Sequence, residues 1–306
     1  MDFNKIIDKY NYEEKTHKIL KEIYNALVNY YGAIYKEIIY DALLNTEIVI
    51  KTGGTVIYDE LNKRGYLNPS NQKNIVKNED LKRANGVYFT DYDVFYKDEK
   101  YFLGDRRSII IINDFNNHEA LISSLIHEIG HLIKSYNQEA VIKEDRLYLR
   151  SGLIESVYKL NNEGLIVNKE LIKETGVGLE EGLNALDEEN IMKLYFEPDY
   201  KVKGYQSLAT LISKFITKFD LQEEVFNSQF YKNKHSLKEK LNPELYEKLE
   251  YSFDELYQKY LKLFANIFNP EISKDIGLEM EDIIISQMLP IFNKLKENSV
   301  CQNYQK

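Results

Sequence analysis

Residues 118–136 read HEALISSLIHEIGHLIKSY. Ala120, Leu121, Leu125, Ile129, Leu132 and Ile133 recur at intervals of three to four, the spacing of one buried face of an amphipathic helix. Asn116 or Asn117, just ahead of the run, is a suitable N-cap. The helix contains His127-Glu128-Ile129-Gly130-His131, the pattern H-E-x-x-H. Positions i and i+4 project from the same side of a helix, so both imidazoles can reach one point. The preceding segment, RRSIIIIND (106–114), is the strongest strand in the chain.

Working outward, residues 1–45 form an N-terminal helical segment, with Ile19, Leu20, Ile23, Ala26, Leu27, Tyr30 and Tyr31 on one face and a second helix over 33–44. EIVIKTGGTVIYDEL (47–61) offers two β-branched runs about Gly53-Gly54 and predicts a hairpin. GVYFTDYDVFYKDEKYFLG (86–104) alternates aromatic and polar residues about a Lys-Asp-Glu-Lys turn. Residues 47–114 are therefore expected to form a mainly antiparallel sheet, with a polar loop near Asn68–Asn85. EDRLYLRSGL (144–153) contains a short strand, and a glycine-rich turn leads into a helix near Leu179. Beyond Pro198 the chain reads as helical over 205–220, 243–268 and 278–295, with breaks at Pro243, Pro270 and Pro290. The expected fold class is α+β. Its domains are the N-terminal segment 1–45, a catalytic domain 46–200 holding a sheet lobe and the H-E-x-x-H helix, and a helical C-terminal domain 201–306, with a cleft between the lobes.

Composition narrows the chemistry. The chain has 306 residues, a prior of about two domains. With 40 Lys+Arg against 49 Asp+Glu the net charge is −9, which supplies no general field for nucleic acid or an anionic membrane. No signal-peptide pattern opens the chain and no apolar run is of membrane-spanning length, so the default expectation is a cytoplasmic protein without membrane insertion; export by a non-standard route stays open. The 25 tyrosines and the absence of tryptophan read as the codon bias of an AT-rich genome. The single cysteine, Cys301, excludes internal disulfides and thiolate-rich zinc sites. Any metal must then be held by histidine and carboxylate, and there are only five histidines.

His127 and His131 suit a zinc ion, which accepts neutral imidazole nitrogen and keeps an open position when a third protein ligand completes the set. Glu128, beside the first ligand, is placed to act as general base on a water molecule. Nine residues before His127, His118 faces elsewhere, while His17 and His235 read as solvated.

Downstream, Leu179-Glu180-Glu181-Gly182-Leu183-Asn184 opens a second helix. An HEIGH helix followed by an E-E-G-L-N helix resembles the zincin metallopeptidases of the gluzincin type, which include thermolysin-like and aminopeptidase N-type enzymes. The resemblance covers about residues 100–235 and rests on these two short motifs. It implies a single catalytic zinc on His127, His131 and Glu181, with Glu180 the competing neighbour, and a peptide or protein substrate. It also implies a tyrosine or histidine that stabilises the oxyanion. Tyr205 is the candidate, followed by Tyr195, Tyr200 and His235.

Two departures stand out. The interval from His131 to Glu181 is 50 residues, which an insertion containing the 144–153 strand would explain. The second acidic residue of the related E-G-L-T-E pattern falls on Ala185, with Asp187 and Glu188 nearby but out of register. That departure favours an alternative, a catalytically inactive zincin scaffold acting as a binding or structural module. A narrow-specificity proteolytic effector is a further alternative, as is the protease type that cleaves repressors of mobile elements, although that type reads E-x-E-A-N where this chain has Glu181-Gly182-Leu183-Asn184. Arg106-Arg107 is read as flanking a strand. Ile109–Ile112 suits either an edge strand that pairs with a peptide or a buried central one. The N-terminal segment is a candidate latency element over the cleft. Oligomeric state is not legible.

Overall fold

The computed structural model describes residues 3–53, 55–66, 84–114, 116–136, 139–163, 166–230 and 236–303. Most of the polar loop expected near 68–85 lies outside these residues, as do Gly54 and His235. The chain is mixed α+β with open sheets. It divides into two compact units, whose bounds cut across the sequence-based domains. The first holds residues 1–149, 156–173 and 187–200; the second holds 150–155, 174–186 and 201–306.

In the first unit, helices α1 (Asn4–Tyr10), α2 (Glu14–Tyr31) and α3 (Lys36–Leu44) precede strand β1 (Glu47–Lys51). The expected face of α2 is buried at Ile19, Leu20, Ile23, Ala26 and Leu27. The N-terminal segment is thus built into the core rather than laid over a cleft. Tyr30 and Tyr31 donate hydroxyl hydrogen bonds to Asp187 at 3.0 and 2.9 Å.

The expected hairpin about Gly53-Gly54 does not form. β1 pairs in parallel with β3 (Lys100–Asn113), from Glu47 opposite Ile109 to Lys51 opposite Asn113. Its supposed partner is instead helix α4 (Val56–Lys63). Ile57 and Leu61, one helical turn apart, are both buried against Val49, Ile109 and Ile111. Strand β2 (Gly86–Lys97) pairs antiparallel with β3, and the sheet order is β1-β3-β2. Ile109–Ile112 therefore lies on the central strand and is almost wholly buried, while β2 is the outer strand beside it.

Helix α5 (His118–Lys134) carries the H-E-x-x-H residues. Asn117 is its N-cap, its side chain accepting from the Ala120 N–H at 3.1 Å. After it comes a second sheet where one short strand was expected. β4 (Glu139–Lys143), β5 (Arg146–Ser151), β6 (Ile154–Glu163) and β7 (Ile166–Thr175) lie in sequence order. Helix α6 (Val177–Tyr195) follows and carries the E-E-G-L-N residues.

The second unit's core gathers Leu179, Leu183, Leu208, Ile212, Leu249, Phe253, Leu256 and Met288. Its helices are α7 (Gln206–Phe219), α8 (Gln222–Phe230), α9 (Ser236–Leu241), α10 (Pro243–Ala265), α11 (Pro270–Asp282) and α12 (Leu289–Asn303). Pro243 and Pro270 start helices, each preceded by an asparagine cap, Asn242 or Asn269. Pro290 does not break the chain's helical path. A wider π turn over Ile283–Met288 joins α11 to α12, and proline is tolerated in the first turn of the helix after it. Among the described residues, no helix is long and apolar enough to cross a membrane.

Candidate metal centre

One ligand atom from each of His127, His131 and Glu181 lies within 4.8 Å of the other two. All three residues are partly exposed. The two imidazoles meet edge to face at 5.0 Å between ring centres, as expected for i and i+4 on α5. Two nitrogen donors and one carboxylate form a set that suits zinc and leaves a coordination position open; all-oxygen cations such as calcium and magnesium favour other donors. The group can hold a metal ion.

Glu180, the competitor for the third ligand, is turned away. It is 1% exposed, and its carboxylate accepts from the Leu153 N–H at 2.9 Å and from the Gln229 side-chain amide at 3.2 Å. Gly182, next to the ligand, is closely packed. A Cβ there would lie 2.4 Å from Ile212 Cδ1 and 3.1 Å from Leu208 Cβ.

The carboxylate missing at Ala185 is supplied three residues later. Glu188 Oε2 lies 2.9 Å from His127 Nδ1. Its other oxygen accepts from Ser123 Oγ at 2.7 Å and from the Tyr200 hydroxyl at 2.5 Å. With Nδ1 committed to Glu188, Nε2 is the nitrogen left to bind a metal, and the carboxylate fixes the tautomer and raises the ring's basicity. Tyr200 is buried, and its hydroxyl pKa is pushed well up, first by desolvation and then by the Glu188 charge, so it stays a donor. The sequence signal was the seven-residue interval between Glu181 and Glu188. Seven residues are nearly two turns, so both side chains emerge on one side of α6.

Glu128 is 9% exposed and is steered by the outer strand of the sheet. The Tyr88 N–H donates to its Oε2 at 2.6 Å. Gly86, on the same strand, leaves room for it: a Cβ there would meet Ile112 Cδ1 at 2.7 Å and Glu128 Cγ at 2.9 Å. Sequence reasoning missed both contacts, because strand order is a tertiary fact.

The remaining candidates have the following surroundings. Tyr205 stands at the start of α7 with φ 55°, and its ring packs against Tyr257 and Tyr260 in the second unit's core. Tyr195 is 40% exposed at the end of α6. Arg106 is a structural brace: it donates to Thr90 Oγ1, the Tyr88 hydroxyl, Ser135 Oγ and the Tyr136 carbonyl, joining the sheet to the end of α5. Arg107 pairs with Asp93 at 3.0 Å and lies over the Tyr66 ring. His118 is exposed as expected. His17 is half-buried rather than fully solvated: its ring stacks on Phe3, and Nε2 is buried without a hydrogen-bond partner. Set against protein-family models, curated proteins and solved structures, the chain matches none.

Proposed function

We propose that this chain is a zinc-dependent peptidase. The convergence of His127, His131 and Glu181, with Glu188 behind the first histidine, carries this reading. Zinc, when bound there, supplies a Lewis acid that lowers the pKa of water and polarises a carbonyl. Glu128 is the base that takes a proton from the attacking water and returns it to the leaving amine. The Tyr88 N–H holds one Glu128 oxygen and so orients this carboxylate. The outer position of β2 suits main-chain pairing with an extended peptide, which makes a peptide or protein the favoured substrate class.

The observation that favoured an inert scaffold was the missing carboxylate at Ala185, and Glu188 removes it. The test is direct. Purified protein should carry close to one zinc per chain and cleave members of a peptide library. Glu128→Gln should keep the metal and lose cleavage. Zinc retained by a His127→Ala/His131→Ala double variant would overturn the site.

A further inference from the structure

The third ligand sits on the second turn of α6. The residue directly ahead of that helix is Gly176, which has no side chain to accept the free N–H groups of the first turn. The acceptor comes from α10, about 80 residues further on. Asp254 Oδ1 accepts from the Gly178 N–H at 2.8 Å and Oδ2 from the Gly176 N–H at 2.9 Å. A carboxylate at this end also complements the positive pole of the helix. The approach is close: a Cβ on Gly178 would lie 2.1 Å from the Phe253 carbonyl oxygen. One turn of α10 thus grips the first turn of α6 on two sides. Glu180 ties the same turn to the Leu153 N–H.

We infer that Asp254 is a positioning residue for the metal ligand Glu181. It fixes the axial position of α6, and so sets where the Glu181 carboxylate stands relative to His127 and His131. A shift of α6 along its axis by a fraction of a residue rise, about 1.5 Å, is enough to spoil a coordination distance that tolerates about 0.2 Å. The inference rests on the proposed metal site.

The test measures zinc affinity of the full chain by competition with a chromophoric chelator, alongside the melting temperature of the zinc-free protein. Glu181→Ala reports whether the site exists. Asp254→Asn keeps the size but turns one acceptor into a donor facing an N–H. Gly178→Ala pushes the helix off the Phe253 carbonyl by an independent route. Ile276→Ala, a core truncation on α11, controls for simple destabilisation. Asp254→Asn and Gly178→Ala should each weaken zinc binding by roughly tenfold or more, the size seen for groups that orient ligands. Ile276→Ala should lower the melting temperature with no change in the zinc affinity of the folded protein. Wild-type affinity in both Asp254→Asn and Gly178→Ala, with Glu181→Ala impaired, overturns the inference and leaves the metal site standing. An equal loss in Ile276→Ala also overturns it, because the effect is then general stability. No zinc binding by wild type defeats the site itself.

Discussion

At the residue scale, the group that decides the site is a carboxylate that binds no metal. Glu188 accepts three hydrogen bonds, from His127, Ser123 and Tyr200. Glu188→Gln keeps the shape but replaces one acceptor by an amide that opposes either the imidazole N–H or the hydroxyls. Zinc affinity should fall roughly 10- to 100-fold. Tyr200→Phe removes one donor and leaves the carboxylate on His127, so its loss should be smaller, under about tenfold. Chelator competition measures both, and the reverse order would show that Tyr200, not Glu188, holds the ring. Gly86→Ala probes the other side of the site. The added methyl strikes Ile112 and Glu128, so peptide cleavage should drop while zinc content stays at the wild-type level. Equal loss of zinc and activity would mean that Gly86 supports the fold and not the base. The H-E-x-x-H pair was legible in sequence because both imidazoles lie on one helix. Glu188 is less legible because it stands seven residues after Glu181 rather than four.

At the element scale, legibility followed locality. α5 was readable with its Asn117 cap, since the apolar stripe and the cap are both local patterns. Asn117→Ala should destabilise the protein by about 1 kcal/mol in denaturant unfolding. A loss below the measurement error would mean that water replaces the cap at no cost. EIVIK and TVIYDEL were misread as hairpin arms because both are β-branched runs flanking Gly-Gly. What separates them is tertiary. Ile48 and Val49 are buried on a strand parallel to β3, whereas Ile57 and Leu61 share one face of a helix. Parallel pairing joins segments about 60 residues apart, and no local signal reports it. Lys134 shows the same limit. A lysine is almost never fully buried unless paired, and here the side chain, in the last turn of α5, is 1% exposed and pairs with Asp187 at 2.9 Å. Tyr30 and Tyr31 reach the same carboxylate, so one half-buried ion pair ties α2, α5 and α6 together within the first unit.

At the scale of the whole molecule, stability should depend on pH through a group that α10 buries beside Asp254. Glu250 is pushed up to about 7, first by burial, then by the Asp254 charge; Glu155 adds to this, while Tyr246 and Lys238 oppose it. Asp254 is also raised by burial, against the pull of the N–H groups of Gly178, Gly176 and Val177. Arg150 adds a positive charge near Tyr246. In the unfolded chain Glu250 ionises near the ordinary glutamate value of about 4.3. Its folded pKa is the higher one, so the folded state binds the extra proton between the two values. The stability from this proton is fully present below about pH 4 and is lost as pH rises through about 7. Glu250→Gln mimics the protonated form at every pH. Its melting temperature should match wild type near pH 4 and exceed it progressively towards pH 8. The stability gap at pH 8 should be on the order of 3–4 kcal/mol, from a folded pKa of about 7 against about 4.3 unfolded at about 1.4 kcal/mol per pH unit. The sequence shows Glu250 and Asp254 only as acids one turn apart on an otherwise solvated-looking helix, and burial is what turns them into a titrating pair. A constant gap between variant and wild type from pH 5 to pH 8 would show that Glu250 does not titrate in this range. A variant less stable than wild type at pH 8 would show that the charged form is held by partners stronger than Tyr246 and Lys238.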